Sequence, residues 1–147
     1  MQNAISPMKK FDFLIGDWKL EYKVPNSSFS AEDSGAGEGN FQRILNNKYV
    51  TFNYYAKLSV REATAHAVFA WDEKTQIYRY WWFEDSGSFM SASCNFINEN
   101  TLCLNWHDSL LVQTFKKINE NKLILQMKSP KNENEYELIL EVVLQKK

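Results

Sequence analysis

Lys10-Phe11-Asp12-Phe13-Leu14-Ile15-Gly16-Asp17-Trp18-Lys19-Leu20 is a short apolar turn that runs through Gly-x-Trp into an alternating strand. Ser6 stands where an N-cap would, Pro7 takes the first helical position, and Gly16 is placed to stop the turn. From there to the end, polarity alternates residue by residue in short segments separated by turn chemistry, the signature of half-buried strands. The segments are Asp17–Val24, Gly37–Leu45, Lys48–Leu58, Ala63–Trp71, Ile77–Phe83, Phe89–Phe96, Leu102–His107, Leu110–Ile118, Leu123–Ser129 and Tyr136–Gln145.

The connections are short, so neighbouring strands pair as hairpins. Ile97-Asn98-Glu99-Asn100-Thr101-Leu102-Cys103-Leu104 is repeated with few changes as Ile118-Asn119-Glu120-Asn121-Lys122-Leu123-Ile124-Leu125, so one turn is used twice. Asn100 and Asn121 are its expected left-handed residues, and Asn46-Asn47 reads as a two-residue turn. A meander of about ten strands leaves two open edges unless the sheet closes on itself. The fold expected is all-β: a single closed antiparallel up-and-down barrel over residues 16–147, preceded by residues 1–15 with a short N-terminal helical turn. At 147 residues the chain is read as one domain. Pro25 to Ala36, rich in Ser, Asp and Gly, is expected to form a flap at one mouth.

Pairing across the turns assigns the faces. Taking Asp72 to Thr75 as a four-residue turn sets Phe69 opposite Tyr78, Ala67 opposite Tyr80 and Ala65 opposite Trp82, so that each large ring but one meets a small residue. About Asn46-Asn47, Phe41 meets Phe52 and Arg43 meets Val50, with Tyr54 on the same face. Trp81 and Trp82 are adjacent and must point to opposite sides. One of them needs cover, from the N-terminal turn or from a second subunit.

Composition narrows the function. The net charge is −1 and Lys and Arg are scattered singly, which disfavours nucleic acid as a partner. Met1 to Pro7 lacks the apolar run of a signal peptide and no segment has membrane-spanning length, so a soluble, cytoplasmic protein with no membrane partner is expected. Two histidines, His66 and His107, are too few for a His₃ site, and neither has Cys or carboxylate at ligand spacing, so no metal is expected. His107-Asp108-Ser109 holds triad residue types in a row, but triads are assembled from distant segments and these neighbours read as a turn. Cys94 and Cys103 are two thiols without a disulfide framework or an activating neighbour. Arg43 is costly to bury unless it meets an anion. A ligand carboxylate or an internal partner such as Glu38 or Glu21 would serve, and the internal partner is favoured.

Phe13-Leu14-Ile15-Gly16-Asp17-Trp18 resembles the opening motif of the calycins, the superfamily of lipocalins and fatty-acid-binding proteins. Gly35-Ala36-Gly37-Glu38-Gly39, Trp71-Asp72-Glu73-Lys74 and the run Tyr78 to Ser86 are similar to an uncharacterised bacterial domain-of-unknown-function family of lipocalin-like barrels. The chain departs from fatty-acid-binding proteins in two respects: Pro25 to Ala36 is too short for a helical lid, and the last strand holds no Arg to anchor a carboxylate. The resemblance to haem-binding nitrobindins fails where Lys19-Leu20-Glu21-Tyr22 replaces a Gly-rich extension, so no haem or other cofactor is expected. Calycins commonly stack a basic side chain from the last strand over the motif tryptophan, and only Lys146 and Lys147 are near enough to do so.

The function expected is binding of a small apolar or amphipathic molecule in the lumen. Trp18, Tyr22, Phe41, Phe52, Tyr54, Phe69, Tyr78, Tyr80 and Trp82 would line it, with Arg43 or a Tyr hydroxyl fixing orientation. The rivals are an enzyme of unknown reaction at the mouth, using His66, a Tyr or Asp85, and a filled barrel acting through its surface as a homodimer. The binder is preferred to the enzyme, and no catalytic residue is assigned.

Overall fold

The computed structural model describes residues 6–147, and these close into one antiparallel barrel of ten strands. The strands are β1 (Gly16–Val24), β2 (Asp33–Ile44), β3 (Tyr49–Leu58), β4 (Glu62–Asp72), β5 (Ile77–Glu84), β6 (Phe89–Asn98), β7 (Thr101–Trp106), β8 (Val112–Asn119), β9 (Lys122–Pro130) and β10 (Tyr136–Lys146). Each pairs with its neighbours in sequence, and β1 pairs with β10 to close the ring. No open edge remains, which answers the hazard that a ten-strand meander poses. A 3-10 helix, Pro7–Leu14, precedes β1, with the Ser6 hydroxyl accepting from the Met8 N–H. No helix among the described residues is long and apolar enough to cross a membrane.

The strand reading holds in number and order, and the differences lie in the turns. β2 begins at Asp33, so the connection after β1 is shorter than the expected flap. Asn46 and Asn47 take φ of 59° and 63°, and the Lys48 N–H bonds the Leu45 carbonyl, which is the tight turn that the two asparagines suggest. Asn100 and Asn121 are not among the residues with positive φ, a correction to the expectation. Here the turn is made by the preceding asparagine: the side chains of Asn98 and Asn119 accept from the N–H of Asn100 and Asn121, and a register shift in each hairpin absorbs the extra residue. That shift also sets Cys94 opposite Leu104 and Cys103 opposite Asn95, so the thiols do not face one another.

The β4–β5 register is displaced by two residues from the expected one. Phe69 pairs with Tyr80, Ala67 with Trp82 and Trp71 with Tyr78. The Asp72 carboxylate accepts from the N–H groups of Lys74 and Thr75, and the chain turns back one residue later, at Gln76 with φ 59°. A shift of two leaves every side chain on its face. Trp82 therefore points inward and Trp81 outward, where it stays 38% exposed. The N-terminal turn does not cover it, because that turn enters the barrel.

Gly35, Gly37 and Gly39 let β2 bend tightly against β3. A Cβ on Gly37 would lie 1.9 Å from the Tyr55 carbonyl oxygen, and one on Gly39 would lie 2.6 Å from the Phe52 ring. At the start of β1, Trp18 is fully buried and donates its indole N–H to the Leu14 carbonyl at 2.7 Å. Lys146 stands 5.5 Å from its ring centroid, the basic cover that the calycin resemblance implies.

Candidate functional site

The interior divides along the barrel axis. At the end where β1 begins, the 3-10 helix lays Met8, Phe11 and Leu14 across the opening, and all three are buried. Phe11 packs 5.1 Å from Phe69 and edge-on to Tyr78 and Phe96. Above it Phe41 stacks on Phe52 with centroids 3.9 Å apart, and Phe115 meets both Phe41 and Phe69 edge-on. The Tyr78 hydroxyl donates to the Pro7 carbonyl at 2.6 Å. Arg43, beyond Phe41 at the end of β2, donates to the Met8 carbonyl at 3.1 Å and pairs with Asp12. This end is a plug of aromatic rings, fastened by polar contacts at its rim.

The other half is open. A cavity of about 690 Å³ lies between the plug and the mouth, within the range of about 300–1,000 Å³ typical of small-molecule sites. Small residues make the room: Ala56 of β3 pairs with Ala63 of β4, and both line the space. Leu20, Met90, Leu125, Met127 and Leu140 supply apolar wall. Ser30 to Asp33, at the end of the first connection, and Ser59 to Arg61, between β3 and β4, form the rim. The first connection is tied down by Ser28, which bonds the Glu137 carboxylate through both its N–H and its hydroxyl, and by Ser59, which bonds Asp33.

Polar groups on the wall are few. The Trp82 indole N–H donates to the Tyr54 hydroxyl at 2.8 Å, which leaves the Tyr54 proton free to donate. Burial, and next the neighbouring Tyr54 phenol, push the Tyr22 hydroxyl far up from its ordinary value; burial, Tyr54 and Cys94 do the same to Tyr80. Tyr54 is raised by burial and by Glu84, against the opposing effects of the Trp82 hydrogen bond and Arg61. All three phenols therefore keep their protons at neutral pH and are donors. Trp106, also on the wall and 8% exposed, has a buried indole N–H with no hydrogen-bond partner among the described residues. At the rim Arg61 and Glu84 form an ion pair at 2.8 Å.

Of the ten residues expected to line a lumen, Tyr22, Phe52, Tyr54, Tyr80 and Trp82 line this cavity. Trp18, Phe41, Phe69 and Tyr78 lie in the plug, and Arg43 lies at its rim, bound to Asp12 and not to Glu38 or Glu21. Glu38 is held by Lys147 instead. Sequence reasoning did not single out Trp106, Gln113, Met90 or Met127. Trp106 shares the alternation of Leu102 and Leu104 and was findable by parity; Gln113 sits two residues before inward Phe115 but reads as polar, hence outward. His66 is on the outer face, opposite Asn53 and Phe83, and bonds the Asn53 side chain. No group of three His, Cys, Asp or Glu side chains suited to a metal occurs among the described residues.

No protein-family model and no curated protein matches the sequence. Solved structures do match in fold. The protein Rv2717c from M. tuberculosis superposes with a TM-score of 0.65 at 9% identity, over 98% of this chain and 99% of that one. The S-type phycobiliprotein lyase CPES from Guillardia theta gives 0.59 at 6% identity, over 98% and 94%. A de novo designed fluorescence-activating β-barrel gives 0.53 at 9% identity, over 92% and 95%. These likenesses show the fold alone, a closed, lipocalin-like β-barrel.

Proposed function

We propose that the protein binds a small apolar or amphipathic molecule in the open half of its barrel. One observation carries this reading: a cavity of about 690 Å³ with a predominantly apolar wall lies between the aromatic plug and the mouth of a barrel whose other half is filled by buried aromatic rings. A barrel that served only as a scaffold gains stability by filling such space, since lost packing costs free energy in proportion to the void. Tyr22, Phe52, Tyr54, Tyr80 and Trp82 are the ligand-contacting residues of this reading; Trp18, Phe41, Phe69, Tyr78 and Arg43 are the foundation on which the site stands. A phycobiliprotein lyase and a fluorescence-activating design among the fold neighbours are consistent with it. The Gly-x-Trp opening and the Lys146 cover over Trp18 support placing the chain beside the bacterial lipocalin-like family that it resembles.

Native mass spectrometry of freshly purified protein, with organic extraction and a thermal-shift panel of apolar compounds, tests the reading. A co-purifying small molecule, or a panel member that raises the melting temperature and saturates, is the expected result; a silent extract together with an unmoved melting temperature across the panel refutes it. A second reading, a homodimer, is favoured by one feature of the surface. Trp81, Phe83 and Phe89 are exposed together on the outer face of β5 and β6. Sedimentation velocity across a concentration series decides it, since a monomer at all concentrations removes this reading.

A further inference from the structure

The polar atoms of the cavity have a bias that the size and apolarity of the wall do not reveal. Below the rim they are uncharged: the O–H groups of Tyr22, Tyr54 and Tyr80, the Gln113 amide and the indole of Trp106, whose buried N–H has no partner among the described residues. Among the described residues Arg61 is the one basic side chain on the wall, and it is already engaged by Glu84 at 2.8 Å. Glu32, Asp33 and Glu84 all stand at the same mouth, so the rim carries more negative than positive charge. That field reaches Tyr54, whose hydroxyl is pushed up first by burial and then by Glu84, with Arg61 opposing Glu84 more weakly. A carboxylate placed beside that hydroxyl would meet the same repulsion and would lose its water without gaining a cation.

An unpaired buried N–H costs free energy in the empty site and recovers it when an acceptor arrives. Resting on the reading of the cavity as a binding site, we propose that the ligand is an uncharged molecule with an apolar body and a carbonyl-type acceptor that meets the Trp106 N–H. The class is that of ketones, esters and amides; carboxylate amphiphiles are rejected. This departs from the expectation that Arg43 could orient an anionic head, because Arg43 lies outside the cavity and is spent on Asp12.

The test uses three probes of one chain length, 2-decanone, decane and decanoate, measured by calorimetry or dye displacement on the intact protein. At a pH of about 8, 2-decanone binds at least about tenfold more tightly than decanoate. Decanoate tightens as the pH falls toward its own pKa, because the acid then enters uncharged, whereas 2-decanone does not change. Trp106→Phe weakens 2-decanone about three- to tenfold, one hydrogen bond's worth, and leaves decane unaffected. Should that variant fail to fold, Glu84→Gln supplies a second reading: it narrows the gap between decanoate and 2-decanone. Decanoate equal to 2-decanone at the higher pH, or a Trp106→Phe variant that weakens decane as much as 2-decanone, overturns the proposal while leaving the binding function standing. No binding by any of the three overturns both.

Discussion

Truncating the plug and truncating the cavity wall should have different energetic consequences, and the pair Phe69→Ala and Met127→Ala measures the difference. Phe69 is fully buried, with ring centroids at 4.6 Å to Tyr80, 5.1 Å to Phe11, 6.3 Å to Phe115 and 6.5 Å to Phe41. Removing the ring forfeits its transfer free energy, opens a void that the surrounding rings cannot collapse into, and breaks several aromatic contacts, for a cost of about 3–5 kcal/mol. Against a typical stability of about 5–15 kcal/mol that is a severe loss, and the melting temperature should fall by on the order of 10–15 °C. Met127 borders space that is already open, so its truncation enlarges the existing cavity and creates no new void. Its side chain is half-buried, and the transfer term alone gives about 1 kcal/mol. Urea unfolding followed by far-UV circular dichroism gives both values, with equal m-values as the check that the transition stays two-state. If the two variants lose the same stability within about 0.5 kcal/mol, the division of the barrel into a packed half and an open half is wrong.

Three further outcomes follow from named contacts. The Arg79 guanidinium and the Thr75 hydroxyl hold the Asp72 carboxyl at about 2, below its ordinary 3.8, so its contribution to stability is complete above the higher value and lost as pH falls through the lower. Asp72→Asn should flatten the acid limb of a stability-against-pH curve over that window, and an unchanged slope would show that the contact does not stabilise the fold. Gly37→Ala should cost about 1–3 kcal/mol in the same urea assay, because the new Cβ meets a backbone oxygen that cannot rotate away; a neutral effect would mean that β2 can unbend there. Burial pushes the Cys94 and Cys103 thiols up, so a disulfide reagent at neutral pH should label them no faster than the protein unfolds. Rapid labelling of either in the native state contradicts the packing around β6 and β7.

Alternation is a parity signal, and parity explains both what the sequence disclosed and what it withheld. It tells inside from outside, which is why the lumen face of β3, β4 and β5 was legible from Phe52, Ala67 and Tyr80 even though the β4–β5 register was misplaced by two residues. It does not tell depth. Trp18 and Tyr22 share one face of β1, as do Phe41 and Arg43 of β2, yet Trp18 and Phe41 lie in the plug, Arg43 lies beyond it and Tyr22 reaches the cavity. Depth is decided by the shear of the barrel and by where the 3-10 helix enters, and both are properties of all ten strands together. Trp81 and Trp82 show the same limit, since adjacency required opposite faces but only the closed ring says which one is inside. The turns of Asn98 and Asn119 show a local limit: an Asn can shape a hairpin through its backbone or through its side chain, and the amino-acid type is the same in both cases.

Plug and cavity are made of the same residue types, so what separates them is volume balance. Around the plug, Phe11 arrives from outside the sheet and fills the space between Phe69, Tyr78 and Phe96. Toward the mouth no segment among the described residues plays that part, and the Ala56–Ala63 pair widens the gap. The N-terminal helix thus fills one end of the barrel, and the cavity opens toward the other. At that opening lie Ser30 to Asp33, a connection held by Ser28 on Glu137 and by Asp33 on Ser59, all of them exposed contacts. On the proposed binding reading, the strands fix where Tyr54, Trp82 and Trp106 stand and this connection borders the mouth, so affinity and exchange rate would be governed by different residues.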